Sequence, residues 1–124
     1  MDHQWTFPAH CTGVVNGDTL DLVVSLGFRC TREVRVQLLH VDTAETHGTP
    51  EDTEEYERAE QQAQFVREWL AEAEGQPQQN SPWPLTVRTE KATGKYGRYL
   101  ATVERPDGEL LHEALAAEYP EVAE

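Results

Sequence analysis

A chain of 124 residues with 23 acidic against 10 basic residues carries a formal charge of −13. The length fits one domain spanning residues 1–124, and 38% hydrophobic residues supply material for one core. The acid excess favours solubility and repels polyanions at low salt; the N-terminus lacks the basic and apolar regions of a signal peptide, and no apolar run approaches the ~20 residues of a membrane span.

Only Lys91 and Lys95 are lysines; the remaining basic residues are arginines. Acid excess with scarce lysine matches the composition of halophilic proteins. Cys11 and Cys30 show no paired metal-ligand spacing and read as free thiols. A cytoplasmic or virion-associated protein is the expected setting.

The first third reads as β. Residues 5–15 carry alternating bulky residues, with a break at Pro8. In "VVNGDTLDLVV", Asn16-Gly17 is a hairpin signal between apolar, alternating runs. Residues 19–25 set Leu20, Leu22 and Val24 against Thr19, Asp21 and Val23. Residues 25–32 read as a turn around Gly27, and residues 33–41 alternate again through Val34, Val36 and Leu38. Three strands joined by short turns make a meander.

The middle is helical. Thr49 or a neighbour caps it, Pro50 takes the first position, and acids fill the first turn. Tyr56, Ala59, Ala63, Val66 and Leu70 recur at spacings of three and four, giving one core-facing stripe. Gly75 ends the helix, and a polar, proline-rich loop follows. Residues 85–90 and 99–105 are two further strands. Residues 110–118 form a short closing helix with Leu111, Leu115 and Tyr119 inward. Five strands with a helix after the third, in the order β-β-β-α-β-β-α, are the parts of an α+β, β-rich Greek-key barrel of the OB type.

Three segments concentrate polar groups at strand ends: "NGDT" (16–19), "VDTAET" (41–46) and "KYGR" (95–98). Singly, each has a structural reading as a turn, a helix start and a hairpin tip. As a set, in this order and with a long helix between the second and third, they resemble the staphylococcal nuclease (thermonuclease-like) family from about Cys11 to Tyr119. The resemblance implies a Ca²⁺-dependent nuclease acting on DNA or RNA. "NGDT" looks like the family's Asp-Gly-Asp-Thr turn, which makes Asp18 a metal-binding carboxylate. "VDTAE" looks like its Ile/Val-Asp-x-Pro-Glu segment, so Asp42 is the second carboxylate, Thr43 offers its carbonyl and Glu45 is the general base. "GKYGR" looks like Asp-Lys-Tyr-Gly-Arg, so Arg98 is the cation on the charged phosphate, with Lys95 and Tyr96 on a terminal phosphate. The chemistry asks for the same types. Two carboxylates and a carbonyl suit Ca²⁺, a carboxylate beside the attacking water can take its proton, and arginine matches phosphate oxygens in bidentate fashion.

The chain departs from the family in places. The family's Arg-Leu-x-x-Ile/Val-Asp strand sets an arginine five residues before the aspartate, where this chain has Gln37. Losing one charge-assisted phosphate contact removes about 2–4 kcal/mol of transition-state stabilisation, by analogy with single oxyanion donors. Arg35, on the same strand face about 7 Å away, is the candidate substitute. Ala44 replaces a proline, Asn16 replaces an acid near the metal, and the longer C-terminal helix of the founding nuclease is absent. A transition-metal cluster of His40, Asp42, Glu45 and His47 matches no defensible zinc spacing. His3, His10 and His112 read as surface or packing residues. Two functions stand side by side: a nuclease slowed by Gln37, and an impaired module that binds nucleic acid or serves as an interaction protein in a larger assembly.

Overall fold

The computed structural model of the chain describes residues 5–43, 53–75, 83–93 and 99–123, with the backbone alone at 90–93. Five strands form a closed barrel: β1 (Thr6–Asn16), β2 (Thr19–Gly27), β3 (Cys30–Leu38), β4 (Leu85–Thr93) and β5 (Tyr99–Glu104). The order around it is β1-β2-β3-β5-β4, and β4 returns to pair with β1. All pairings are antiparallel except β3 with β5. A long helix, α1 (Glu54–Gly75), follows β3, and a short one, α2 (Leu111–Glu118), follows β5. No helix among the described residues is long and apolar enough to cross a membrane.

The period-two pattern closes the barrel around its core. Leu20, Leu22 and Val24 of β2, Val36 and Leu38 of β3, Leu85 and Val87 of β4, and Ala101 and Val103 of β5 are all buried. On α1, Ala59, Ala63, Val66 and Leu70 face inward as the spacing requires, joined by Gln62, Trp69 and Ala73. Tyr56 is only half-buried. Leu111 and Leu115 are fully buried, and Tyr119 packs edge-on against Phe65.

Several boundaries differ from the sequence expectation for local reasons. β1 runs through Pro8, which lies exposed opposite Thr86 of β4, because its fixed φ fits extended backbone. β3 covers Cys30–Leu38 rather than 33–41. Gly27 pairs directly with Cys30, so Phe28 and Arg29 form a two-residue turn, both with positive φ (56° and 61°). At the other end His40 also takes positive φ and breaks the extended run. The first turn of α1 is capped by Thr53, whose Oγ1 accepts from Tyr56 N–H at 3.2 Å; Thr49 and Pro50 lie outside the described residues.

One polar knot was not legible in the sequence. The Arg105 side chain, 10% exposed, meets Glu72 at 3.1 Å, Asp107 at 3.2 Å and Glu109 at 3.4 Å. Its guanidinium lies 4.9 Å from the Trp69 ring centroid, and Trp69 Nε1 donates to Glu109 Oε1 at 2.6 Å. Burial alone would lower the Arg105 pKa, but the bonds to Asp107 and Glu72 and the charges of Glu109 and Asp107 outweigh it and raise it. Arg105 thus fastens α1 to the turn between β5 and α2. Arg105→Ala should cost about 1.5 kcal/mol, roughly 5 °C in Tm, discounted because the acids are half-exposed. Arg105→Lys should recover part of it, lacking the planar fork. Thermal melts check both.

Candidate functional site

The site begins at the β1–β2 turn. Asn16 pairs with Thr19, leaving Gly17 and Asp18 as the two turn residues. Neither has positive φ, so the glycine is not there for a left-handed turn. A Cβ at position 17 would fall 2.9 Å from Thr43 Cγ2. Glycine lets the turn press against the segment that leaves β3, and the first and second polar segments meet there.

Asp18 is 4% exposed. Its Oδ1 accepts from Thr19 Oγ1 at 3.0 Å, and its Oδ2 accepts from Thr43 N–H at 3.3 Å. Its carbonyl accepts from Leu38 N–H at 2.7 Å. Asp18 therefore is both a turn residue and the tie between the hairpin and residues 41–43. Burial pushes its carboxyl above the usual range. The Thr43 N–H and Thr19 hydroxyl oppose that push, the nearby Asp42 charge adds to it, and the Thr43 hydroxyl opposes it weakly.

Asp42 is exposed. Its N–H donates to Val122 O at 2.8 Å, and Val41 bridges to Ala123. The short 3₁₀ turn Pro120–Val122, with Val122 buried, holds this segment through that bond and bridge. Sequence reasoning missed this clamp; its one signal is an apolar residue, Val122, between the acids Glu121 and Glu124.

Gln37 lies in register with Thr19 of β2 and Leu100 of β5, next to the turn that holds Asp18. Among the described residues its Oε1 is buried without a hydrogen-bond partner, and so is Thr43 Oγ1, which makes no bond of good geometry. Buried oxygens without donors are costly, and a hard cation or water would satisfy them. Asp18, Asp42 and Thr43 are all oxygen donors, the chemistry Ca²⁺ takes. The residues present fit such an ion. Among the described residues no group of three or more metal-binding side chains gathers; the third implied acid, Glu45, lies outside them, as do Lys95, Tyr96 and Arg98. Tyr99, the first residue of β5, pairs with Val36, so the chain enters β5 one residue before the level of Gln37.

The expected substitute for the missing cation is engaged elsewhere. Arg35 is in register with Asp21 and bonds it twice, at 2.7 and 3.1 Å, on the exposed face. His40 turns to His112, with ring centroids 5.1 Å apart. Burial and the His40 charge lower the His112 pKa, partly offset by Glu113. His47 lies outside the described residues. Cys11 and Cys30 are free thiols, half-buried and exposed respectively. A cleft of about 330 Å³ between β1 and α1, lined by Cys11, Arg67 and Glu74 among others, contains none of the expected site residues.

No protein-family model matches this chain, and no curated protein matches it.

The raised Asp18 pKa gives a stability prediction with a definite sign. The folded carboxyl holds its proton more tightly than the unfolded one. Its stabilisation is present below the ordinary carboxylate pKa and is lost as pH rises through the folded value. Asp18→Asn should therefore raise Tm by a few degrees at about pH 7, with the gain vanishing near pH 3. The same variant should lose any stabilisation that added Ca²⁺ gives the parent. Melts at both pH values, with and without Ca²⁺, check this.

Proposed function

We propose that this chain is a Ca²⁺-dependent phosphodiesterase of the thermonuclease type, hydrolysing DNA or RNA at a rate reduced by Gln37. The observation that carries the reading is the joining of Asp18, in the β1–β2 turn, to Thr43 on the segment that leaves β3. It places a buried carboxylate, the exposed Asp42 and the Thr43 carbonyl on neighbouring stretches of chain. Strand order β1-β2-β3-β5-β4 with a helix after β3 supports the OB type of barrel.

Asp18, Asp42 and the Thr43 carbonyl would hold the ion, which when bound neutralises charge on the phosphate. Glu45 takes the proton of the attacking water. Arg98 pairs with the phosphate oxygens through its fork, and Lys95 and Tyr96 hold a terminal phosphate. The Asp18–Thr43 bond and the Val122 clamp fix the segment carrying Asp42 and leading to Glu45.

A second reading has an observation of its own. With Gln37 neutral and Arg35 committed to Asp21, one cation fewer faces the phosphate, which favours an impaired module that binds nucleic acid or a partner protein. Incubating single- and double-stranded DNA and RNA with the protein and Ca²⁺, at low and high salt, separates the two. Cleavage lost on chelation and in Asp18→Asn supports the enzyme; binding without cleavage supports the module.

A further inference from the structure

The exit of β3 and the start of α2 bring two histidines together, and the oxygen-donor site uses neither. His40 takes left-handed backbone, with φ 73°, a conformation unfavourable for a residue with a Cβ. Such outliers persist only where the surroundings hold them. Backbone bonds on both sides hold this one: Leu39 N–H donates to Ala101 O at 2.9 Å, and Asp42 N–H donates to Val122 O at 2.8 Å. The exposed His40 ring is thereby set beside His112, in the first turn of α2. That helix is anchored by Leu111 and Leu115, both fully buried. Both imidazoles are thus carried on fixed backbone.

Their ring centroids lie 5.1 Å apart, with the planes inclined at 51°. The rings are neither parallel, as in stacking, nor perpendicular, as in an edge contact. The separation is that of two ligands on one ion. Two imidazoles on a tetrahedral metal, each nitrogen about 2.0–2.1 Å from it, place their centroids about 5 Å apart. A second observation comes from His112 itself. Its Nδ1 is buried and, among the described residues, has no hydrogen-bond partner. A buried nitrogen left unpaired is costly, and an ion bound there would satisfy it.

We propose that His40 and His112 together bind one tetrahedral divalent transition ion of the Zn²⁺ class. His112 ligates through Nδ1, the exposed His40 ring turns a nitrogen to the same ion, and water fills the other positions. Imidazole is largely neutral above about pH 7 and in that form selects Zn²⁺, whereas Ca²⁺ and Mg²⁺ take oxygen. Among the described residues no third histidine, cysteine or acid joins the pair, so the site is open and binds more weakly than a closed four-ligand centre. The start of α2 is the positive end of its dipole and opposes a cation weakly. Glu113 in the same turn and the chain's charge of −13 act the other way. Occupied, the site ties the exit of β3 to α2. It does not rest on the nuclease reading.

The test titrates ZnCl₂ into the Cys30→Ser protein at about pH 7.5, where imidazole is neutral, and reads heat and Tm. The exposed Cys30 thiol is removed because a thiolate is itself a zinc ligand. One equivalent of saturable binding and a raised Tm are expected. His40→Asn and His112→Gln should each weaken binding at least tenfold. Asparagine suits left-handed backbone, so His40→Asn should keep or raise the Tm of the ion-free protein, and its loss of binding is then not loss of fold. Excess Ca²⁺ and Asp18→Asn should leave Zn²⁺ binding unchanged, so this site stands or falls apart from the proposed nuclease centre. No saturable binding at millimolar Zn²⁺ overturns the proposal. So does binding that survives either histidine variant, or binding that Ca²⁺ displaces.

Discussion

Gln37→Arg should raise the rate of Ca²⁺-dependent nucleic-acid hydrolysis by about 10²-fold or more, the scale of restoring one charge-assisted contact in a transition state. Gln37 sits beside the Asp18 turn with Thr19 and Leu100 on either side, and among the described residues its Oε1 is buried without a partner. An arginine would replace that orphaned acceptor by donors and add a charge next to the turn that holds Asp18. The gain should appear in kcat rather than KM, since the charge on the phosphate grows toward the transition state. Arg35 supplies an internal control. It already bonds Asp21 twice on the exposed face, so Arg35→Ala should leave turnover unchanged. A folded Gln37→Arg variant as inactive as the parent in saturating Ca²⁺ would transfer the argument to the binding-module reading. A fast parent slowed by Arg35→Ala would show that Arg35 leaves Asp21 to act on substrate.

The barrel was legible because alternation is a local signal. Leu20, Leu22 and Val24 announce a buried face without reference to any other strand, and the spacing of Ala59, Ala63, Val66 and Leu70 does the same for α1. The Phe28–Arg29 turn was hidden because positive φ in residues with a Cβ has no compositional mark; Gly27, which does, drew the turn to itself. At the site, Asn16-Gly17 located the hairpin, but the reason for the glycine lies in Thr43, far along the chain. Asp18 could be named as a candidate ligand from its segment. That its carboxylate would bond Thr43 N–H, and be buried by doing so, follows only from the barrel's closure. The Arg105 knot and the Val122 clamp were out of reach for the same reason: each joins residues that no short window contains. Arg35 shows the reverse error. Its position on the strand face was readable, but Asp21 opposite it depended on a register fixed by the hairpin.

Raising NaCl from about 0.1 to 1 M should raise Tm by about 10 °C, equivalent to some 2–3 kcal/mol for a domain of this size. The reason is the distribution of charge, not only its sum. The exposed side of α1 carries Glu54, Glu55, Glu57, Glu68, Glu72 and Glu74 against Arg58 and Arg67. Its first-turn acids sit well with the helix dipole, but Glu72 and Glu74 lie in the last turn, which has no basic residue. Glu72 is compensated by Arg105, and Glu74 carries its charge at the negative end of the helix dipole. With a formal charge of −13 overall, self-repulsion opposes the compact state. At 1 M salt the Debye length falls to about 3 Å, and repulsion between exposed acids is largely screened. The same screening should help a polyanionic substrate approach, so hydrolysis or binding should rise with salt before levelling off. That is opposite to the loss with salt expected when a basic surface binds nucleic acid by counterion release. Replacing Glu68 and Glu74 together by glutamine, with the Arg105 partner Glu72 left in place, should raise Tm at low salt and flatten the salt slope, because part of the screened repulsion is then already gone. A Tm that stays flat or falls over this range, with substrate binding that weakens monotonically, would make the acid excess a solvated surface with no part in stability.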